Sequence, residues 1–187
     1  MLNNIRKNKS FVSIVNFIGR IFRFLPPNAI TTISLVVVFF SGYYYYLGLP
    51  YIGAIMLVIS GFLDLVDGSV AKYTKRTTVL GGFLDSTFDR IGDGVVLLGI
   101  GLSYDLTLCF VIMVGAYLIS YMRAKGEALG VKVMGMGIGE RAERILIIFV
   151  FSFINLEIGL YVLLIVVYIT VFTRFYFISK ELRTNNL

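Results

Sequence analysis

The chain has no histidine, one cysteine and three prolines among its 187 residues. Without imidazole there is no histidine-ligated zinc, no serine–histidine or cysteine–histidine nucleophile, and no imidazole general base. The single Cys109 cannot close an intrachain disulfide, and within an apolar stretch it reads as a buried residue. Charge is also scarce. Asp, Glu, Lys and Arg make up 15% of the residues against 58% hydrophobic, and mean hydropathy is +0.87. Those values lie beyond an ordinary soluble domain, so the sequence reads as one integral membrane protein. The net charge of +6 is read as membrane topology, with no nucleic-acid partner. No internal repeat or low-complexity segment stands out.

What is present falls into apolar runs. Phe11, Ile14, Val15, Ile18, Ile21, Phe22 and Leu25 recur at helical spacing, with Ser13, Asn16, Arg20 and Arg23 opposite. This predicts an amphipathic helix lying on the membrane surface, ended by Pro26 and Pro27. It resembles a secretion signal only superficially, because its apolar core is interrupted and no small-residue cleavage site follows. Six spans are expected next, at about 28–47, 51–72, 82–102, 106–125, 140–153 and 158–178. Each approaches the roughly 20 residues that cross a bilayer, the fifth being the shortest. The expected fold is therefore all-α: residues 1–26 form an N-terminal segment with the interfacial helix, and residues 27–187 form a six-helix membrane domain.

The charges support this count. The connections at 47–51, 103–107 and 155–157 hold no Lys or Arg, and nearly all basic residues sit in the alternate connections and at the two ends. The positive-inside rule then puts both termini on the cytoplasmic side of the cell membrane. The run Tyr43–Tyr46 reads as an aromatic belt at the opposite interface.

Acidic residues concentrate at one place. Asp64 and Asp67 are spaced i,i+3, Asp85 and Asp89 i,i+4, and a short turn with Lys75 and Arg76 joins the two helices. Each spacing sets both carboxylates on one helix face. Four acids gathered near a bilayer are costly unless a cation offsets them. Oxygen donors without His or Cys select a hard ion, Mg²⁺ or alternatively Mn²⁺, and four carboxylates suffice for two ions about 3.5–4 Å apart. The plainer reading pairs these acids with Lys72, Lys75, Arg76 and Arg90. Five acids between 64 and 93 exceed what turns and helix ends need. Asp93 continues the second face by a turn, as a further ligand or a partner for Arg90.

The pattern Asp64-x-x-Asp67-Gly68-x-x-Ala71-Lys72, then eight residues, then Gly81-x-x-x-Asp85-x-x-x-Asp89 resembles the signature of the CDP-alcohol phosphotransferases. The resemblance implies a CDP-lipid donor whose two phosphates share Mg²⁺ with the four aspartates. An acceptor hydroxyl would attack the lipid-side phosphorus and CMP would leave, with Asp89 as general base. It also implies nucleotide contacts from Asn28, Thr31 and Thr78, and a homodimer, for which Gly94, Gly99 and Gly101 are the nearest small-residue clue. Taken alone, Asn28 and Thr31 read as helix-start residues. Gly68 and Gly81 let a nucleotide or helix approach the backbone. Lys72 departs from the family, which usually has Arg there; Lys keeps the charge and loses the bidentate fork on phosphate.

A second cluster is basic. Arg123, Lys125, Arg141 and Arg144 flank a glycine-rich stretch, and Arg174 lies inside the last apolar run. An intramembrane Arg is expensive unless it lines a polar cavity. Lys132, Lys180 and Arg183 read as anchors to anionic headgroups. The other five suit an acceptor that carries a phosphate. The surrounding residues resemble the phosphatidylinositol-phosphate synthase branch and its archaeal relatives, which implies inositol 1-phosphate as acceptor, with glycerol 3-phosphate the alternative. The donor tails, diacylglycerol or archaeol, are not encoded in apolar spans. A cation transporter is disfavoured because the charges stop in one half of the membrane, and an inactive scaffold because all four aspartates are present.

Overall fold

The structure is a computed structural model that describes residues 17–133, 135 and 137–184. Six helices follow a helical turn at 17–21: α1 Pro27–Tyr46, α2 Pro50–Tyr73, α3 Val79–Ser103, α4 Leu106–Ala128, α5 Arg141–Ile154 and α6 Leu156–Thr184. Among the described residues there is no strand.

Local chemistry sets the helix ends. Proline stands at the first position of α1 and α2, where its missing N–H costs nothing. The Thr78 hydroxyl accepts from the Gly81 N–H at 2.9 Å and so starts α3 three residues earlier than expected. Asp105 accepts from Leu108 N–H at 2.9 Å, and Asn155 from Ile158 N–H at 3.1 Å, which starts α4 and α6. Gly48 turns the α1–α2 connection at φ +70, a left-handed conformation that suits glycine.

Four of the helices, α1, α2, α4 and α6, are long and apolar enough to cross a membrane, and the chain is a multi-pass membrane protein. The other two of the six expected spans differ in kind. Helix α3 has 25 residues but carries Asp85, Asp89, Arg90 and Asp93. Helix α5 has 14 residues, roughly 21 Å of rise against about 30 Å of hydrocarbon. Much of the expected interfacial helix lies outside the described residues. In its described part, Ile18 and Phe22 pack on Ile30, Val66 and Val70, so part of the face expected to meet lipid meets α1 and α2 instead.

The described residues fall into two compact units that divide between Gly99 and Ile100. In the first, α1 and α2 are joined by reciprocal serine bonds. Ser34 Oγ donates to the Ser60 carbonyl and Ser60 Oγ to the Ser34 carbonyl, each at 3.0 Å, and Ser41 Oγ donates to the Gly53 carbonyl at 2.7 Å. Small hydroxyl residues let apolar helices approach closely in a membrane. Tyr45, expected in an aromatic belt, is instead fully buried, its ring beside Gly53, while Tyr43 and Tyr46 are exposed as expected. Helices α1 and α3 touch where a Cβ at Gly99 would overlap the Gly42 carbonyl. Gly101, in the second unit, faces Leu106 and Cys109. Two of the three glycines that hinted at an interchain contact therefore pack within the chain.

In the second unit α4 and α6 are tied by Tyr168 OH, which donates to the Val111 carbonyl at 3.2 Å. Gly159 brings α6 against Phe151 of α5. Gly130, Gly135 and Gly137 all have positive φ, so the connection between α4 and α5 turns through conformations that other residues rarely adopt.

Candidate functional site

Helix α2 delivers Asp64 and Asp67 from adjacent turns, and α3 delivers Asp85. One carboxylate oxygen from each lies within 4.8 Å of the others. Two like charges at that spacing repel by roughly 3 kcal/mol at an effective dielectric near 20, which nothing in their own number offsets. Asp67 is 5% exposed, and its Oδ2 has no hydrogen-bond partner among the described residues. An orphaned buried oxygen in a group of three carboxylates fits a divalent metal, and the all-oxygen donor set fits a hard one.

The neighbours of the three acids are polar. Ser34 Oγ lies 3.5 Å from Asp64 Oδ1. The Thr31 hydroxyl lies against Asp67 and also 3.0 Å from the Pro27 carbonyl, so its single proton serves one or the other. Asp89 does not join the three. It sits one turn further along α3, with Oδ2 3.4 Å from Arg90 Nη1, which also donates to the Ser86 carbonyl at 2.8 Å.

The expected nucleotide-binding residues fall in the same unit. Asn28 Oδ1 and Thr78 Oγ1 are the groups nearest to where a Cβ on Gly81 would project, at 3.6 and 3.0 Å. Asn28, Thr78 and Gly81 are therefore brought together. Beside Asp67, a Cβ at Gly68 would meet nothing within 4 Å among the described residues. Lys72 is exposed near the end of α2.

The basic residues fall in the second unit. Arg174 is almost wholly buried; its Nη1 donates to the Ile119 carbonyl at 2.8 Å and its Nη2 pairs with Glu140 Oε1 at 2.7 Å. Arg144, also buried, donates to the Gly139 carbonyl at 2.9 Å. Arg123 pairs with Glu127 at 3.2 Å on the surface of α4, Lys125 is exposed, and Arg141 is half-buried at the start of α5. Arg123 and Arg144 are both close enough to Arg174 to act on it electrostatically.

Sequence reasoning missed Ser34, Glu140 and Glu143, whose Oε2 is buried without a partner among the described residues. The segment containing both glutamates points, in sequence, to its arginines and glycines, and neither glutamate stands out as a site residue. Its alternation of acids with cations was the available signal.

The family model of the CDP-alcohol phosphatidyltransferases matches residues 24–176. The chain belongs to that family. Membership decides for an enzyme over the transporter and the inactive scaffold. Among similar CDP-alcohol phosphatidyltransferases, archaetidylinositol phosphate synthase of Pyrococcus horikoshii is 38% identical over 163 residues, 84% of this chain and 86% of that protein. The enzyme of the same name from Methanothermobacter thermautotrophicus is 42% identical over 127 residues, 66% and 64% of the two chains. The crystal structure of Mycobacterium tuberculosis phosphatidylinositol phosphate synthase with CDP-DAG bound superposes with a TM-score of 0.77 at 26% identity, covering 89% of this chain and 94% of that one. The same protein has been solved with manganese and citrate, at a TM-score of 0.76 and 26% identity, covering 88% of each chain. The metal-compatible carboxylates of this family member thus lie in its first unit and its cation cluster in the second.

Proposed function

We propose that this protein transfers a phosphatidyl-type group, built on diacylglycerol or archaeol, from a CDP-lipid to inositol 1-phosphate and releases CMP. The observation that carries the reading is the convergence of Asp64, Asp67 and Asp85 around the buried Asp67 Oδ2. These three, with Asp89, would hold Mg²⁺ or Mn²⁺, in one or two ions. When bound, the metal neutralises pyrophosphate charge and favours CMP as leaving group.

Each side chain then has a task. Asn28, Thr31, Thr78 and Gly81 receive the cytidine, Gly68 leaves room for the pyrophosphate, and Lys72 adds a cation at its edge. The acceptor oxygen bonds to the lipid-side phosphorus as the bond from that phosphorus to CMP breaks. Asp89 takes the hydroxyl proton. A carboxylate is a weak base at its ordinary pKa of about 3.9, so this proton leaves late, as the oxygen's bond to phosphorus forms. The acceptor's phosphate is held by Arg123, Lys125 and Arg141, with Arg144 and Arg174 adding positive charge behind them. A phosphate needs such a group of cations; a zwitterionic acceptor such as serine does not. The names of the similar archaeal and mycobacterial enzymes support the inositol phosphate choice.

The proposal includes six spans in the cell membrane, formed by residues 27–187 after the segment 1–26, with both termini and the site cytoplasmic. Residues Gly94–Ser103 of α3 are uncharged, which leaves one half of that helix suited to lipid. Cysteine labelling in the 47–49 and 74–78 connections from opposite sides tests the orientation.

The deciding assay is CMP release from CDP-lipid by purified protein with Mg²⁺, run with inositol 1-phosphate, free inositol, glycerol 3-phosphate and serine. Release with inositol 1-phosphate alone is expected. Release with glycerol 3-phosphate instead would keep the transfer chemistry and replace the acceptor. No release with any of the four would overturn the reading.

A further inference from the structure

The cation cluster contains a carboxylate whose placement its own helix does not explain. Glu140 occupies the N-cap position of α5, where a side-chain oxygen can accept from the first free N–H groups. It makes no such bond. Only its backbone carbonyl joins the helix, accepting from Arg144 N–H at 3.1 Å. The side chain, one-quarter exposed, reaches Arg174 on α6 at 2.7 Å.

Arg174 in turn binds the Ile119 carbonyl of α4 at 2.8 Å. One buried guanidinium thus joins α4, α6 and the start of α5. The preceding residue is pinned as well. Arg144 holds the Gly139 carbonyl at 2.9 Å, and a Cβ at Gly139 would crowd Thr170 Oγ1 and the Val166 carbonyl, so that residue lies flat on α6. Gly139 and Glu140 are each fixed by a different buried arginine. The next residue is Arg141.

We propose that Glu140 is a positioning residue for the acceptor site: by holding Arg174 it sets the junction between the glycine-rich connection and α5, and so the place of Arg141. This rests on the reading of Arg123, Lys125 and Arg141 as the acceptor-phosphate group. Two arginines hold the frame, and the more exposed cations meet the ligand. Loss of the Glu140 charge leaves Arg174 buried without its counter-ion, and the junction shifts to hydrate it.

The test measures steady-state CMP release by the purified full chain in detergent, varying inositol 1-phosphate and CDP-lipid separately. Glu140→Gln is expected to raise the acceptor KM at least tenfold and leave the donor KM within twofold; Glu140→Asp should recover part of the loss. The pair Glu140→Gln with Arg174→Met should lose less than the product of the two single losses. An unchanged acceptor KM, or equal shifts in both KM values, overturns the proposal. A second readout needs no turnover. Trypsin should cut after the exposed Lys132 at least fivefold faster in Glu140→Gln than in wild type, with cutting after Arg76 unchanged. If wild type releases no CMP with any phosphorylated acceptor, the functional reading fails, and the trypsin comparison alone decides: equal rates sink the positioning role. Should Glu140→Gln fail to fold, Glu140→Asp and Arg174→Lys are measured in its place, with smaller changes expected in the same direction.

Discussion

The two units place charge in a membrane protein in opposite ways. In the first, three carboxylates of one sign crowd within 4.8 Å, and a buried oxygen of Asp67 has no partner among the described residues. In the second, buried Arg174 and Arg144 bond to the protein's own oxygens, from Glu140, Ile119 and Gly139. Burying an ion costs several kcal/mol after relaxation, so each arrangement needs compensation. For these two arginines the second unit supplies its own. In the first, the three acids fit a divalent cation. Crowded carboxylates of one sign suit an external cation, and buried arginines bonded to protein oxygens fix helices to one another.

Opposite responses to substitution would sharpen this contrast. Asp67→Asn should lower CMP release by about 10³-fold, on the scale of losing a principal electrostatic contact, while leaving thermal stability unchanged or higher because repulsion is relieved. A clear fall in Tm for this variant would mean that Asp67 belongs to the frame. Chelation should abolish wild-type activity, with Mg²⁺ or Mn²⁺ restoring it, and should lower the Tm of wild type more than that of Asp67→Asn. A chelator that changes neither quantity would remove the metal. Arg174→Met should do the reverse of Asp67→Asn, destabilising by roughly 3–5 kcal/mol in a detergent melt as Glu140 loses its partner. Smallest is Ser34→Ala, which should cost about 1 kcal/mol or less, since Ser60 can still donate to the residue 34 carbonyl. A large fall in metal affinity in that variant would promote Ser34 to a site residue.

Much of this was legible in the sequence because period and hydropathy are local. The i,i+3 spacing of Asp64 and Asp67 sets their shared face on any helix, and the α1, α2 and α4 boundaries follow from apolar runs ended by Pro, Gly or an acidic cap. Asp89 lies beside Arg90, which also bonds back to the Ser86 carbonyl, and such side-chain contacts are not encoded in spacing. Thr78 was read for a nucleotide, although its offset from Gly81 is equally that of a helix cap. Glu140 and Arg174 are separated by 34 positions, and Ser34 and Asp64 by 30. Such pairs depend on how helices are set against each other, which no local pattern specifies. Helix α5 illustrates a different gap: its run is apolar enough to suggest a span, but 14 residues rise too little to make one by length alone.

The serine bonds between α1 and α2 bear on how the protein is made. They connect neighbouring helices separated by a three-residue turn, with partners only 26 and 12 positions apart. Contacts this local form quickly, and a nascent chain emerges at about 5–20 residues per second. The α1–α2 hairpin is therefore expected to close inside the lipid before α3 is translated. Asp64 and Asp67 would then stand ready on a finished hairpin, and the arrival of Asp85 would complete the site as a late step of biogenesis.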